Sequence, residues 1–129
     1  MKRFDIYDRV FRFASRVERM NQALSRNRRV NRTALNQLVA AAMSVGSNLE
    51  EARAGQSKAD FHAKLRISLK EARESHYWLR LLLESGVVQK SRLQPLVDEA
   101  NEIVAILTTI AKKTNPHAPA LPSPPPPTS

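Results

Sequence analysis

From Phe4 to Lys113 apolar side chains return every three or four residues, and over no stretch do they alternate with polar ones as a half-buried strand requires. That period admits helices and little else. A first helix is expected from Phe4 to Leu24, turning Phe4, Tyr7, Val10, Phe11, Ala14 and Val17 inward. After the turn "SRNRRVNR", residues 25–32, Asn31 is a candidate N-cap for a second helix, Thr33 to Arg53. Its inward residues are Leu35, Leu38, Val39, Ala42, Val45 and Leu49, and Gly55 stands where a C′ glycine would. Ser57 with Asp60 resembles a capping box opening a third helix that runs to Glu84 through Phe61, Leu65, Ser68, Leu69, Ala72, Leu79 and Leu83, with Gly86 at its end. Ser91 with Gln94 repeats the pattern before a fourth helix to Lys113, through Leu96, Val97, Ala100, Ile103, Val104, Leu107 and Ile110. Pro95 is tolerated only near a helix start. Four helices, each ~30 Å long, joined by short turns, define an all-α, antiparallel up-down-up-down four-helix bundle over residues 1–114.

Residues 115–129, "NPHAPALPSPPPPTS", hold seven of the eight prolines and cannot continue a helix; a disordered, polyproline-II-biased tail is expected there. With 129 residues and 42% hydrophobic content the chain suffices for one core. Cysteine is absent, which removes disulfides and thiolate metal sites and suits a reducing cytoplasm. Lys2 and Arg3 resemble the start of a signal peptide, but Asp5, Asp8 and Arg9 interrupt any apolar region after them. The longest apolar run, Leu38–Met43, is too short to span a bilayer. The expectation is a soluble cytoplasmic protein.

The stretch "SVGSNLEEARAGQS", residues 44–57, invites a phosphate-loop reading. No Gly-Lys-Ser/Thr follows, no strand precedes it, and the G-x-S-x-G of a nucleophile elbow is missing. Residues 40–47, "AAAMSVGS", are instead small around a whole helix turn. Gly46 costs about 1 kcal/mol against alanine inside a helix, so close helix–helix contact is expected there, within the bundle or between subunits. Di-iron bundles need paired Glu-x-x-His motifs, and the residues three before His62, His76 and His117 are Ala59, Arg73 and Thr114. No metal site and no cofactor is expected. Asn48, Glu50 and Glu51 lack a nucleophile–base pair; capping or interhelical hydrogen bonds explain them, and enzymatic activity is not expected. Tyr77 and Trp78 lie in an apolar run and are assigned to core or interface packing.

Charge is the sharper signal. The chain carries a formal +9, and residues 1–32 hold ten Lys/Arg against three Asp/Glu. Arg9, Arg12, Arg16 and Arg19 share one face of the first helix, with Arg26, Arg28, Arg29 and Arg32 just beyond it. Arg66, Lys70, Arg73 and Arg80 form a second row on the third helix. A solvated face partly paired with Asp5, Asp8 and Glu18, a nucleic-acid surface, and a dock for an acidic protein all accommodate these rows. A membrane surface does not, because the apolar face of the first helix is needed by the core.

Residues 44–88, with Ser44, Val45, Ser47, Asn48, Glu51, Ser57, Asp60, Phe61, Leu65, Ser68, Leu69 and Glu71 at matching positions, resemble the four-helix-bundle family of large-subunit (23S) rRNA intervening-sequence proteins. Gly46 replaces the family's usual proline and Ala52 its usual glycine. The resemblance implies a non-enzymatic bundle that assembles into a ring-like homo-oligomer, often a pentamer. The accessory variability proteins of diversity-generating retroelements share that bundle, which implies an adaptor holding a reverse transcriptase and nucleic acid. The competing class is a protein-only scaffold docking an acidic or nucleic-acid-bearing enzyme.

Overall fold

The computed structural model describes residues 5–116. These form four α-helices, α1 (Ile6–Ala23), α2 (Arg32–Ala54), α3 (Lys58–Ser85) and α4 (Lys90–Thr114), in an all-α bundle. Each helix packs on its neighbours in sequence and α4 closes back on α1, so the up-down-up-down order is realised. Phe4 and the tail beyond Pro116 lie outside the described residues.

Local chemistry sets the helix ends. Asp5, which the sequence reading placed inside α1, is its N-cap, accepting from the Tyr7 and Asp8 amides at 2.9 and 3.4 Å. Asn31 caps α2 through the Ala34 amide and Ser57 caps α3 through the Asp60 amide, each at 3.0 Å, as expected. Gly86 ends α3 in the left-handed region at φ 74°, a conformation that suits glycine. Gly55 does not take that role. Its φ of −63° is open to any residue, and its use is steric, since an added Cβ would lie 3.1 Å from the Ala52 carbonyl oxygen and 3.3 Å from Asp60 Cβ. The Ser91–Gln94 box is also not formed. α4 starts at Lys90 with Gln89 as a cap that makes no side-chain bond, and the Gln94 amide donates to Asp98 instead, at 2.8 Å. Pro95 therefore falls in the second turn, where the helix runs on through it.

The core joins Val10, Phe13, Val17, Leu35, Leu38, Leu49, Leu65, Leu79, Leu82, Leu93, Ile103 and Leu107, all essentially inaccessible. The stripe of α1 is rotated from the expected one. Phe13 is buried and Phe11 is 71% exposed, because Ile6, Val10, Phe13, Val17 and Met20 follow a 4-3-4-3 spacing into which Phe11 does not fit. The expected inward residues of α2, α3 and α4 are buried or packed against the core.

α2 and α3 make the most extensive helix pairing, and both helices bury small side chains, Ala41, Ala42, Val45 and Ala52 on α2 and Ser68 and Ala72 on α3, which let backbones approach closely. The buried Ser68 hydroxyl donates to the Val45 carbonyl at 2.7 Å, tying the two backbones. Gly46 needs no such closeness; a Cβ there would rest 3.6 Å from Val10 Cγ1, an ordinary contact. Asn48 bonds within its own helix, donating to the Ser44 carbonyl and hydroxyl at 2.9 and 3.0 Å. Trp78 is half-buried against the core, while Tyr77 is 51% exposed and meets it edge-on at 5.0 Å.

Candidate nucleic-acid interface

The α1–α4 pairing is the thinnest in the bundle, and long charged side chains line it. Arg9 donates through Nε and Nη2 to Glu99, at 2.6 and 2.7 Å, and through Nη2 to Glu102. Both the Arg9 and Glu99 side chains are largely buried, at 22% and 17% exposure. The hydrogen bond to Glu99 holds the Arg9 guanidinium above its ordinary value despite burial. The same bond holds the Glu99 carboxyl below its own, against desolvation and with help from the fields of Arg16 and Arg12. Arg9 is thus a structural clamp between α1 and α4. Sequence reasoning placed it with the binding arginines because its partners lie ninety residues away. The signal that could have found it is Glu99 with Glu102, an i, i+3 pair on the only stretch of α4 with that much negative charge.

Further along the same face the charge is not balanced. Arg12 meets Asp8 at 3.3 Å in an exposed i, i+4 pair, worth only a few tenths of a kcal/mol, about 0.3–0.5. Arg16 and Arg19 line a cleft of about 340 Å³ with Met20, Arg92 and Leu96. Arg92 is a cation that the sequence reading missed, although its place in the first turn of α4 sets it at the same end of the bundle as the α1–α2 turn.

That turn is built to a definite shape. Leu24 and Val30 are buried and anchor its two ends in the core. Asn27 Oδ1 accepts from the Arg29 amide at 2.9 Å. Arg32 Nη2 donates to the carbonyls of Leu24 and Asn27, both at 3.1 Å, and of Ser25 at 3.5 Å. Arg32 is therefore the turn's brace, whereas Arg26, Arg28 and Arg29 stand exposed around it. Among the described residues Arg16, Arg19, Arg26, Arg28, Arg29 and Arg92 make no ion pair. The structure so divides these arginines, with Arg9 and Arg32 holding the fold and Arg16, Arg19, Arg26, Arg28 and Arg29 toward one end of the bundle.

The second row lies elsewhere. Arg66, Lys70 and Arg73 line a groove between α3 and α4, and Arg80 lies exposed beyond it; burial, aided by the charge of Arg80, holds the His76 imidazole below its ordinary value. Among the described residues no three His, Cys, Asp or Glu side chains gather as a metal cluster, and no helix is long and apolar enough to cross a membrane.

Fold and surface together define a small four-helix bundle with an arginine-rich end. The chain belongs to the 23S rRNA-intervening sequence protein family, whose model matches residues 2–109. It is also similar to the crystal structure of a protein of unknown function from the S23 ribosomal protein family of Bacteroides thetaiotaomicron VPI-5482. The TM-score is 0.78 at 31% identity, over 84% of this chain and 99% of that one. No curated protein matches this chain.

Proposed function

We propose that this protein is a non-catalytic, self-associating module that binds the phosphate backbone of nucleic acid through its arginine-rich end. The observation that carries the reading is the group Arg16, Arg19, Arg26, Arg28, Arg29 and Arg92, which make no ion pair among the described residues, beside an Arg9 that is consumed by Glu99. Guanidinium groups suit phosphate because their planar donors match two oxygens at once. Contacts of this kind position a strand without reading bases, so RNA and DNA bind with little sequence preference. Self-association is supported by large apolar side chains left in water, above all Phe11 at 71%, Tyr77 at 51% and Met43 at 47% exposure. The number of subunits that family resemblance implies is five. A ring would repeat the cationic end around its rim and raise affinity through effective concentration. An adaptor for a reverse transcriptase is the specific form of this role that the resemblance implies, and a neighbouring reverse transcriptase gene would support it.

The test is the salt dependence of binding to a labelled oligonucleotide, for wild type and for the Arg26→Gln/Arg28→Gln/Arg29→Gln variant. Each lost phosphate contact flattens the log–log slope by about 0.9 on duplex or about 0.7 on a single strand. The variant should lose affinity while keeping its fold and subunit number by circular dichroism and light scattering. Wild-type protein that ignores nucleic acid even at low salt would refute the reading and leave the protein-only scaffold in its place.

A further inference from the structure

Away from the arginine-rich end, α3 and α4 border an open groove of about 580 Å³. Small-molecule sites occupy about 300–1,000 Å³. Helical spacing brings the cations to it: residues 62, 66, 70 and 73 follow one face of α3, and residues 108, 112 and 115 follow the facing side of α4. Arg66, Lys70 and Arg73 from α3 and Lys112 from α4 all line it, and none of its described lining residues is acidic. None of these four cations makes an ion pair among the described residues. Ile67, 41% exposed, and Ala111 supply an apolar wall beside them.

His62 adds a second, independent mark. It lines the groove from the second turn of α3, is 91% buried with 9% exposure, and its Nδ1 is enclosed without a hydrogen-bond partner among the described residues. A buried polar atom left unpaired costs about 1–3 kcal/mol, so its place at the groove calls for a partner. The groove is also remote from the turn arginines. Lys70 is fifteen residues before the end of α3, or roughly 22 Å along the axis from the end where that turn lies.

We propose that this groove binds a compact phosphorylated ligand of nucleotide size, with its phosphates on Arg66, Lys70, Arg73 and Lys112 and its ring or other apolar body on Ile67 and Ala111. This goes beyond the nucleic-acid reading and does not require it. The cations line one groove from two helices, and the apolar wall beside them is a feature that a bare phosphate backbone would leave unused. Lysine and arginine divide the work, the ammonium groups acting as point charges and the guanidinium forks fixing orientation.

The experiment is calorimetric titration of the full chain with ATP and, separately, with inorganic tripolyphosphate. Two variants accompany wild type: Lys70→Gln/Arg73→Gln/Lys112→Gln in the groove and Arg26→Gln/Arg28→Gln/Arg29→Gln in the turn. Saturable ATP binding is expected, weakened about tenfold or more in the groove variant, as loss of several charge-assisted contacts implies, and unchanged in the turn variant. Tripolyphosphate should bind the same site more weakly, because it lacks a body for the apolar wall. All substituted side chains are exposed, so both variants should keep the wild-type circular dichroism spectrum. No saturable ATP binding at low salt, or equal losses in the two variants, would overturn the proposal. So would a groove variant that loses oligonucleotide while wild type ignores ATP, since the groove would then be part of the polynucleotide surface.

Discussion

Replacing Gly46 with alanine decides between two accounts of the small-residue stretch in α2. Gly46 sits half-buried in the middle of a 23-residue helix, where glycine is less favourable than alanine by about 0.8–1.0 kcal/mol. The added methyl would meet nothing nearer than Val10 Cγ1 at 3.6 Å, so within one chain no steric term opposes the gain. Gly46→Ala should therefore stabilise the protein by about 1 kcal/mol, which for a chain of this size raises Tm by about 3–5 °C. Urea denaturation followed by circular dichroism gives the magnitude, and an unchanged m-value assigns it to the native helix and not to a change in compactness. Light scattering on the same samples reads the subunit number. A variant that is less stable or that dissociates would refute the reasoning from the single chain, because some other surface must then occupy the space above Gly46. Loss of subunit number in the same variant would assign that surface to a second copy of the protein.

Glu99→Gln should cost about 1–3 kcal/mol in denaturant titrations, since it strips Arg9 of its charged, bidentate partner. Glu99's carboxyl is held below its ordinary value, so its stabilisation is full above that value and is lost as pH falls through the lowered one; Tm of wild type should drop in that acid window more than Tm of the variant. Ser68→Ala should cost about 1 kcal/mol through loss of the buried bond to the Val45 carbonyl, measured by urea unfolding. Phe13→Ala should cost about 3–5 kcal/mol, while Phe11→Ala should leave unfolding of the bundle within about 0.5 kcal/mol and weaken self-association by light scattering, which together test the phase of α1.

The fold was legible because helix periodicity is written in every segment, and caps that use a side chain at fixed spacing, Asn31 and Ser57, can be read off directly. What escaped reading depends on the third dimension. Phe11 and Phe13 are equally apolar, and only the register set by Ile6, Val10 and Val17 decides which one enters the core. The S-x-x-Q pattern at Ser91 is a valid cap motif that lost to a start two residues earlier, with Gln89 as the cap and Lys90 first in the helix. Within the candidate site, the row of arginines was visible as a row, but Arg9 and Arg32 differ from the rest through partners the spacing does not reveal. Glu99 is remote in sequence, and the carbonyls that Arg32 holds belong to backbone that exists only once the turn has formed. The α3–α4 groove needed both helices to be placed before its cations could be seen to share it.

The Arg32 brace has a consequence for how the neighbouring arginines capture a ligand. On a slack loop, Arg26, Arg28 and Arg29 would mould to any polyanion, and each backbone residue fixed on capture would lose about 1–2 kcal/mol of conformational entropy. Here three carbonyls already held by one guanidinium, with Leu24 and Val30 sunk in the core, have taken that loss during folding. A pre-shaped turn binds faster and gives up less on binding. It also fixes the backbone points from which Arg26, Arg28 and Arg29 extend. Under the proposed backbone binding, capture would thereby start from a turn already ordered by the fold.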